Sequence, residues 1–80
     1  MEDVFSKVQQ AFREAFDVDP QMVSMDTVPD DIPGWDSVGH LNLASSLEYT
    51  FGMTLDVDDL MEMENVRKIV KLVQSKLNKS

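Results

Sequence analysis

Residues 31–43 read DIPGWDSVGHLNL, a Pro-Gly turn that runs straight into an apolar-periodic segment. The seam falls at Ser37, with Asp36 immediately before it. From Ser37 the apolar residues return at helical intervals as far as Phe51, and Gly52 supplies a C-terminal stop. A helix over 37–51 is therefore predicted. A lone hydroxyl beside an acid at the mouth of that helix has two readings. Ser37 is either part of a plain helix cap or a handle to which something is attached.

Upstream, Val4, Val8, Ala11, Phe12, Ala15 and Phe16 recur at three-and-four spacing, one wide face of an amphipathic helix. Asp3 near its start suits the positive end of the helix dipole. The pattern stops at DVDP, where Pro20 biases Asp19 away from helical backbone. The connection that follows, VDPQMVSMDTVPDDIPGW, is rich in Asp and holds all three prolines. Loops this long in compact domains are ordered and functional, or else disordered. Val23, Met25, Val28 and Ile32 favour one that packs down on the core. Downstream, DVDDLMEM forms a short element starting at Asp56 or Val57. A last helix shows Val66, Ile69, Val70, Val73 and Leu77 on one face, with Asn65 as its N-cap. Arg67, Lys68, Lys71, Lys76 and Lys79 lie off that face, several near the negative C-terminal end. No strand alternation or repeat is present. The expected fold is all-α, a small four-helix bundle with three long helices, one short one and a long loop between the first two. A chain of 80 residues reads as one domain, 1–80.

The composition narrows the function further. Fifteen acidic residues face seven basic ones, for a formal net charge of −8. Nucleic acid is excluded, because its phosphates demand Lys and Arg. Partners with basic docking surfaces are favoured, since complementary fields steer encounter. The absence of cysteine removes disulfides and protein thiol chemistry. MEDVFSKVQQ opens acidic, without the apolar run of a signal peptide, and no stretch is long enough to insert in a membrane. A soluble, cytoplasmic monomer is expected.

The stretch WDSVGHLNLASSLEYTFG resembles the modification-site segment of the acyl carrier protein family. In that family an Asp-Ser-hydrophobe triplet opens the second helix, and the serine is esterified with 4′-phosphopantetheine by a phosphopantetheinyl transferase. The resemblance takes in the first helix, the long loop, the Phe-Gly stop, the short acidic element and ENVRKIVKLV in the last helix. It implies a carrier without catalytic activity of its own. Acyl groups would be held as thioesters at Ser37, beside Asp36, and handed among acyl-loading and acyl-processing enzymes. The chemistry agrees. A phosphodiester at Ser37 would meet free N–H groups and the positive end of the helix dipole. The missing thiol would come from the prosthetic group. Competing classes are an aminoacyl or peptidyl carrier, and an unmodified helical adaptor.

On a helical wheel of about 100° per residue, His40, Leu43, Ala44, Leu47 and Phe51 face the core. Val38, Leu41, Asn42, Ser45 and Tyr49 face away. Val38 and Leu41 beside Ser37 form a docking surface, with Glu48, Asp58, Asp59 and Glu62 as the acids around it. The chain departs from housekeeping fatty-acid carriers, which carry several acids along this outer face. Here that face holds Gly39, Asn42, Ser45, Ser46, Tyr49 and Thr50, with Glu48 its single acid, and Val38 stands where Leu is usual. The spelling GWDS..H resembles stand-alone carriers of specialised lipid or natural-product pathways. Asp36, Ser37 and His40 lie too close on one helical turn for a hydrolytic triad, so His40 is expected to pack at the core edge and bond a loop carbonyl. DVDPQMVSMDTV starts like a calcium loop but has Met22 and Val28 where Gly and Glu are required, so no metal is expected. Trp35 is expected to cover the loop–helix corner, and the six methionines to fill gaps in the core.

Overall fold

Four α-helices form where the apolar periodicity predicts them, in a computed structural model that describes residues 4–78. They are α1 (Val4–Phe16), α2 (Ser37–Phe51), α3 (Val57–Glu62) and α4 (Val66–Asn78). Among the described residues there is no strand. Asp3 and Lys79 lie outside the described residues. α1 packs against α2 and α4, and α3 lies between α2 and α4. Phe12 from α1, Leu43 and Leu47 from α2, and Ile69 and Val73 from α4 are fully buried at the centre. Phe51, at the last turn of α2, is only half-buried, with the Lys7 ammonium 5.8 Å above its ring.

The helix stops are local. α1 ends before Pro20 is reached, because Asp17 turns into the left-handed region at φ 56° and its N–H bonds the Arg13 carbonyl at 2.8 Å. Asp is among the few residues that tolerate this conformation. Pro20 instead opens a single 3₁₀ turn capped by Asp19. α2 ends at Gly52 with φ 63°. Asp56 caps α3 and exchanges reciprocal bonds with Asp59, and the Asn65 side chain accepts from Lys68 N–H at 2.8 Å at the start of α4.

The long loop is ordered and held at both flanks. Gln9 of α1 donates to the Pro20 and Val23 carbonyls, each at 2.9 Å. The first N–H groups of α4, those of Val66 and Arg67, bond the Thr27 and Met25 carbonyls at 3.1 Å. The loop thus satisfies donors that any helix start leaves open. Val23 and Ile32 are buried and Met25 half-buried, as the spacing predicts. Val28 is exposed instead, because it is the cap residue of a second 3₁₀ turn, Pro29–Asp31. The methionines divide similarly. Met63 is buried and Met53 half-buried, but Met22 and Met61 are 73% exposed.

Candidate functional site

Asp36, not Ser37, is the N-cap of α2. Its backbone is extended and its carboxylate accepts from Gly39 N–H at 2.9 Å, while its carbonyl accepts from His40 N–H at 2.7 Å. Ser37 is therefore the first residue inside the helix, and it is exposed. Its hydroxyl and the N–H groups of Ser37 and Val38 carry no hydrogen bond among the described residues. An exposed hydroxyl beside two free donors at a helix N-terminus suits a phosphoester. That arrangement fits the group implied by the resemblance.

Gly39 completes this corner and is buried, so it does not belong to the outer face of α2. A Cβ there would stand 1.8 Å from the Gly34 carbonyl oxygen and 2.8 Å from Phe16 Cε1. Only a glycine lets the Pro33-Gly34 turn press this closely on the first turn of α2. The helical wheel alone could not reveal that contact, because the obstructing atom comes from the loop.

Trp35 is 6% exposed and packs edge-on against Phe12, with centroids 5.0 Å apart. Its indole N–H donates to His40 Nδ1 at 2.8 Å, and the planes of the two rings are within 10° of parallel. His40 Nε2 lies 2.8 Å from the Leu60 carbonyl oxygen. An indole is only a donor and a carbonyl only an acceptor, so Nε2 carries the proton and Nδ1 offers its lone pair to Trp35. The ring thus has no lone pair left for Ser37. Carbonyl bonding by His40 and corner packing by Trp35 are both as expected, although the carbonyl belongs to α3 rather than a loop.

A groove of about 480 Å³ opens beside Ser37 between α2 and α3. Leu41 lines one side and Val57, Leu60 and Met61 the other, with Trp35 and His40 at the bottom. Val57 and Met61 were not singled out for this surface. With the α3 cap at Asp56, positions 57, 60 and 61 share one side of the helix, which is the signal that marks them. Val38 and Leu41, 69% and 60% exposed, flank Ser37, and Tyr49 is exposed further along α2.

The predicted acids separate into two groups. Asp58 and Glu62 are exposed on α3. Asp59 is committed to the fold: its side chain is 14% exposed, meets Lys76 Nζ at 2.7 Å and accepts from Asp56 N–H at 3.1 Å. The Lys76 hydrogen bond holds the Asp59 carboxyl below its usual range, and Asp59 in turn raises the Lys76 ammonium. Glu48 is also committed, its carboxylate accepting from Leu55 N–H at 2.8 Å. The one acid expected on the outer face of α2 thus holds the turn ahead of α3. No group of three or more potential metal ligands occurs among the described residues, and no described helix is long and apolar enough to cross a membrane.

Residues 6–73 match the family model described as a phosphopantetheine attachment site. The chain is 33% identical to an acyl carrier protein of Thermotoga maritima, over 95% of this chain and 94% of that one. It is 29% identical to an acyl carrier protein of Petrotoga mobilis, over 96% and 91% respectively. The solution structure of a holo acyl carrier protein from Geobacter metallireducens superposes with a TM-score of 0.83 at 32% identity, covering 95% of this chain and 87% of that one. Fold, helix-mouth serine and near full-length likeness agree, and the chain belongs to the phosphopantetheine-attachment family, as an acyl carrier protein with a phosphopantetheine prosthetic group.

Proposed function

We propose that Ser37 is the single attachment residue, and that this carrier serves a specialised lipid, fatty-acid or polyketide-type pathway rather than general fatty-acid synthesis. The observation that carries the assignment is the unpartnered Ser37 hydroxyl in the first turn of α2, left free because Asp36 takes the capping role. Ser24, Ser45 and Ser46 lack that setting. Ser24 is bonded within its own loop turn, and Ser45 and Ser46 lie in mid-helix.

Each residue of the corner has a part. Asp36 fixes the first turn, so the hydroxyl is presented to a transferase from a rigid support. The free N–H groups of Ser37 and Val38 would hold the phosphate of the prosthetic group. Gly39 seats the turn against α2. When attached, the prosthetic group supplies the thiol that forms thioesters, which a chain without cysteine cannot provide. Tethering then raises the effective concentration of cargo at each partner. The chain itself performs no catalysis, since both nitrogens of its only histidine are held by Trp35 and Leu60. It acts as a monomeric, single-domain carrier in the cytoplasm, meeting its transferase and acyl-processing enzymes through Val38 and Leu41, with Asp58 and Glu62 facing their basic surfaces. The pathway assignment rests on the outer face of α2, where no acid is free to meet the basic residues of a general synthase.

The test is direct. Wild type and Ser37→Ala are incubated with coenzyme A and a broad-specificity phosphopantetheinyl transferase, then weighed intact. Wild type gains the mass of one prosthetic group and the Ala variant gains nothing. A persistent gain in the variant overturns the assignment.

A further inference from the structure

An apolar acyl group tethered at Ser37 is driven toward apolar surface. Two places lie within its reach: the groove between α2 and α3, and the core behind that groove. What separates them is the Trp35–His40 pair. Trp35 belongs to the loop, His40 to α2 and Leu60 to α3, and two 2.8 Å hydrogen bonds join them into one bridge. Behind it Phe12, Leu43 and Leu47 are fully buried. Admitting a chain to the core would have to part α3 from α2, which breaks the His40–Leu60 bond, or push the Trp35 and His40 rings apart, which breaks the other. Either way a polar group of the bridge is left unpaired, at a desolvation penalty. The groove asks for no such change. Its volume of about 480 Å³ is already open, its wall contains Ser37, and the exposed Met61 is an adaptable side for ligands of varied shape.

We propose that Trp35 and His40 form a fixed floor beneath Ser37, so that this carrier shelters short acyl groups in the surface groove and does not enclose long ones in its core. The proposal rests on attachment at Ser37. It names the cargo class: acyl groups short enough to end against the indole.

The experiment loads wild-type carrier with acetyl, butyryl, hexanoyl, octanoyl or palmitoyl pantetheine from the matching acyl-coenzyme A. Three quantities are read: thioester cleavage by hydroxylamine, melting temperature, and the NMR signal of the indole N–H, which is unique because the chain has one tryptophan. Protection and melting temperature are expected to rise through the short chains and level off before palmitoyl, and the shift of the indole signal is expected to stay small and level off with them. In His40→Ala the floor loses both bonds, and palmitoyl cleavage is expected to slow several-fold relative to wild type. Trp35→Phe removes only the N–H donor and gives the same direction if His40→Ala folds poorly. Progressive protection of wild type up to palmitoyl, with a large indole shift, overturns the proposal. So does unchanged palmitoyl cleavage in folded variants. Failure to load any acyl group at Ser37 overturns the attachment reading instead, and intact mass shows this before any chain length is compared.

Discussion

A methyl group added at Gly39 would meet the Gly34 carbonyl oxygen and the Phe16 ring at once, so turn and helix could not both keep their places. Gly39→Ala is expected to lose about 1–3 kcal/mol, the usual range for overpacking, and to slow modification by shifting Asp36 and Ser37. Gly52 differs, since nothing lies within 4 Å of an added Cβ and only its φ of 63° is strained. Gly52→Ala should cost about 1–2 kcal/mol and leave modification rates unchanged. The same contrast separates two leucines one helical face apart. Leu47 is fully buried, and Leu47→Ala should lose about 2–5 kcal/mol. Leu41→Ala, at an exposed position, should stay within about 0.5 kcal/mol. Urea denaturation of the four variants checks all of these values, and equal losses at Leu41 and Leu47 would reverse the phase assigned to α2.

At the level of elements, α3 is too short to hold itself, as isolated helices of this length are marginal in water. Its anchors are the Asp59–Lys76 ion pair toward α4 and the Leu60–His40 bond toward α2. The ion pair makes the α3–α4 contact sensitive to pH. Asp59 has its folded pKa lowered, so its contribution is complete above the unfolded value of about 3.9 and is lost as pH falls through the lower folded value. Lys76 has its pKa raised, so its contribution is complete below the unfolded value of about 10.4 and is lost as pH rises through the higher one. Asp59→Asn is expected to lower the melting temperature at neutral pH and to flatten its decline below about pH 4. Melting curves of both proteins across that range test this, and two parallel profiles would show that Asp59 adds nothing.

Over the whole molecule, opposite charges are sorted and then partly joined. Arg67, Lys68 and Lys76 of α4 pair with Asp26, Glu64 and Asp59 from the loop and the α3 region. The unpaired acids of α3 are Asp58 and Glu62, both exposed, as are the apolar Val38 and Leu41 of α2. Apolar contacts at a desolvated centre carry more binding energy than rim charges, which act on encounter rate. Val38→Asp or Leu41→Asp should therefore sharply slow loading by the native partner while melting stays near wild type. Asp58→Asn combined with Glu62→Gln should lower the association rate, and the difference should fade as salt is raised. A general fatty-acid synthase should use the holo-carrier poorly. Equal efficiency with that synthase and the native enzymes would remove the case for a specialised pathway.

The four helices, the caps at Asp56 and Asn65, the stop at Gly52 and the place of Ser37 at a helix mouth were legible in the sequence, whereas the cap of α2 at Asp36 was not. The legible features are set by residues within a few positions of one another, where periodicity and capping chemistry act directly. The partners of several polar groups depended on packing instead. Glu48 reaches seven residues to Leu55, His40 twenty to Leu60, and Arg67 forty-one to Asp26. Burial of Gly39 likewise depends on where the Gly34 turn is folded back. A hydrogen bond forms only within about 3 Å, and which distant groups come that close is fixed by helix packing rather than by spacing along the chain.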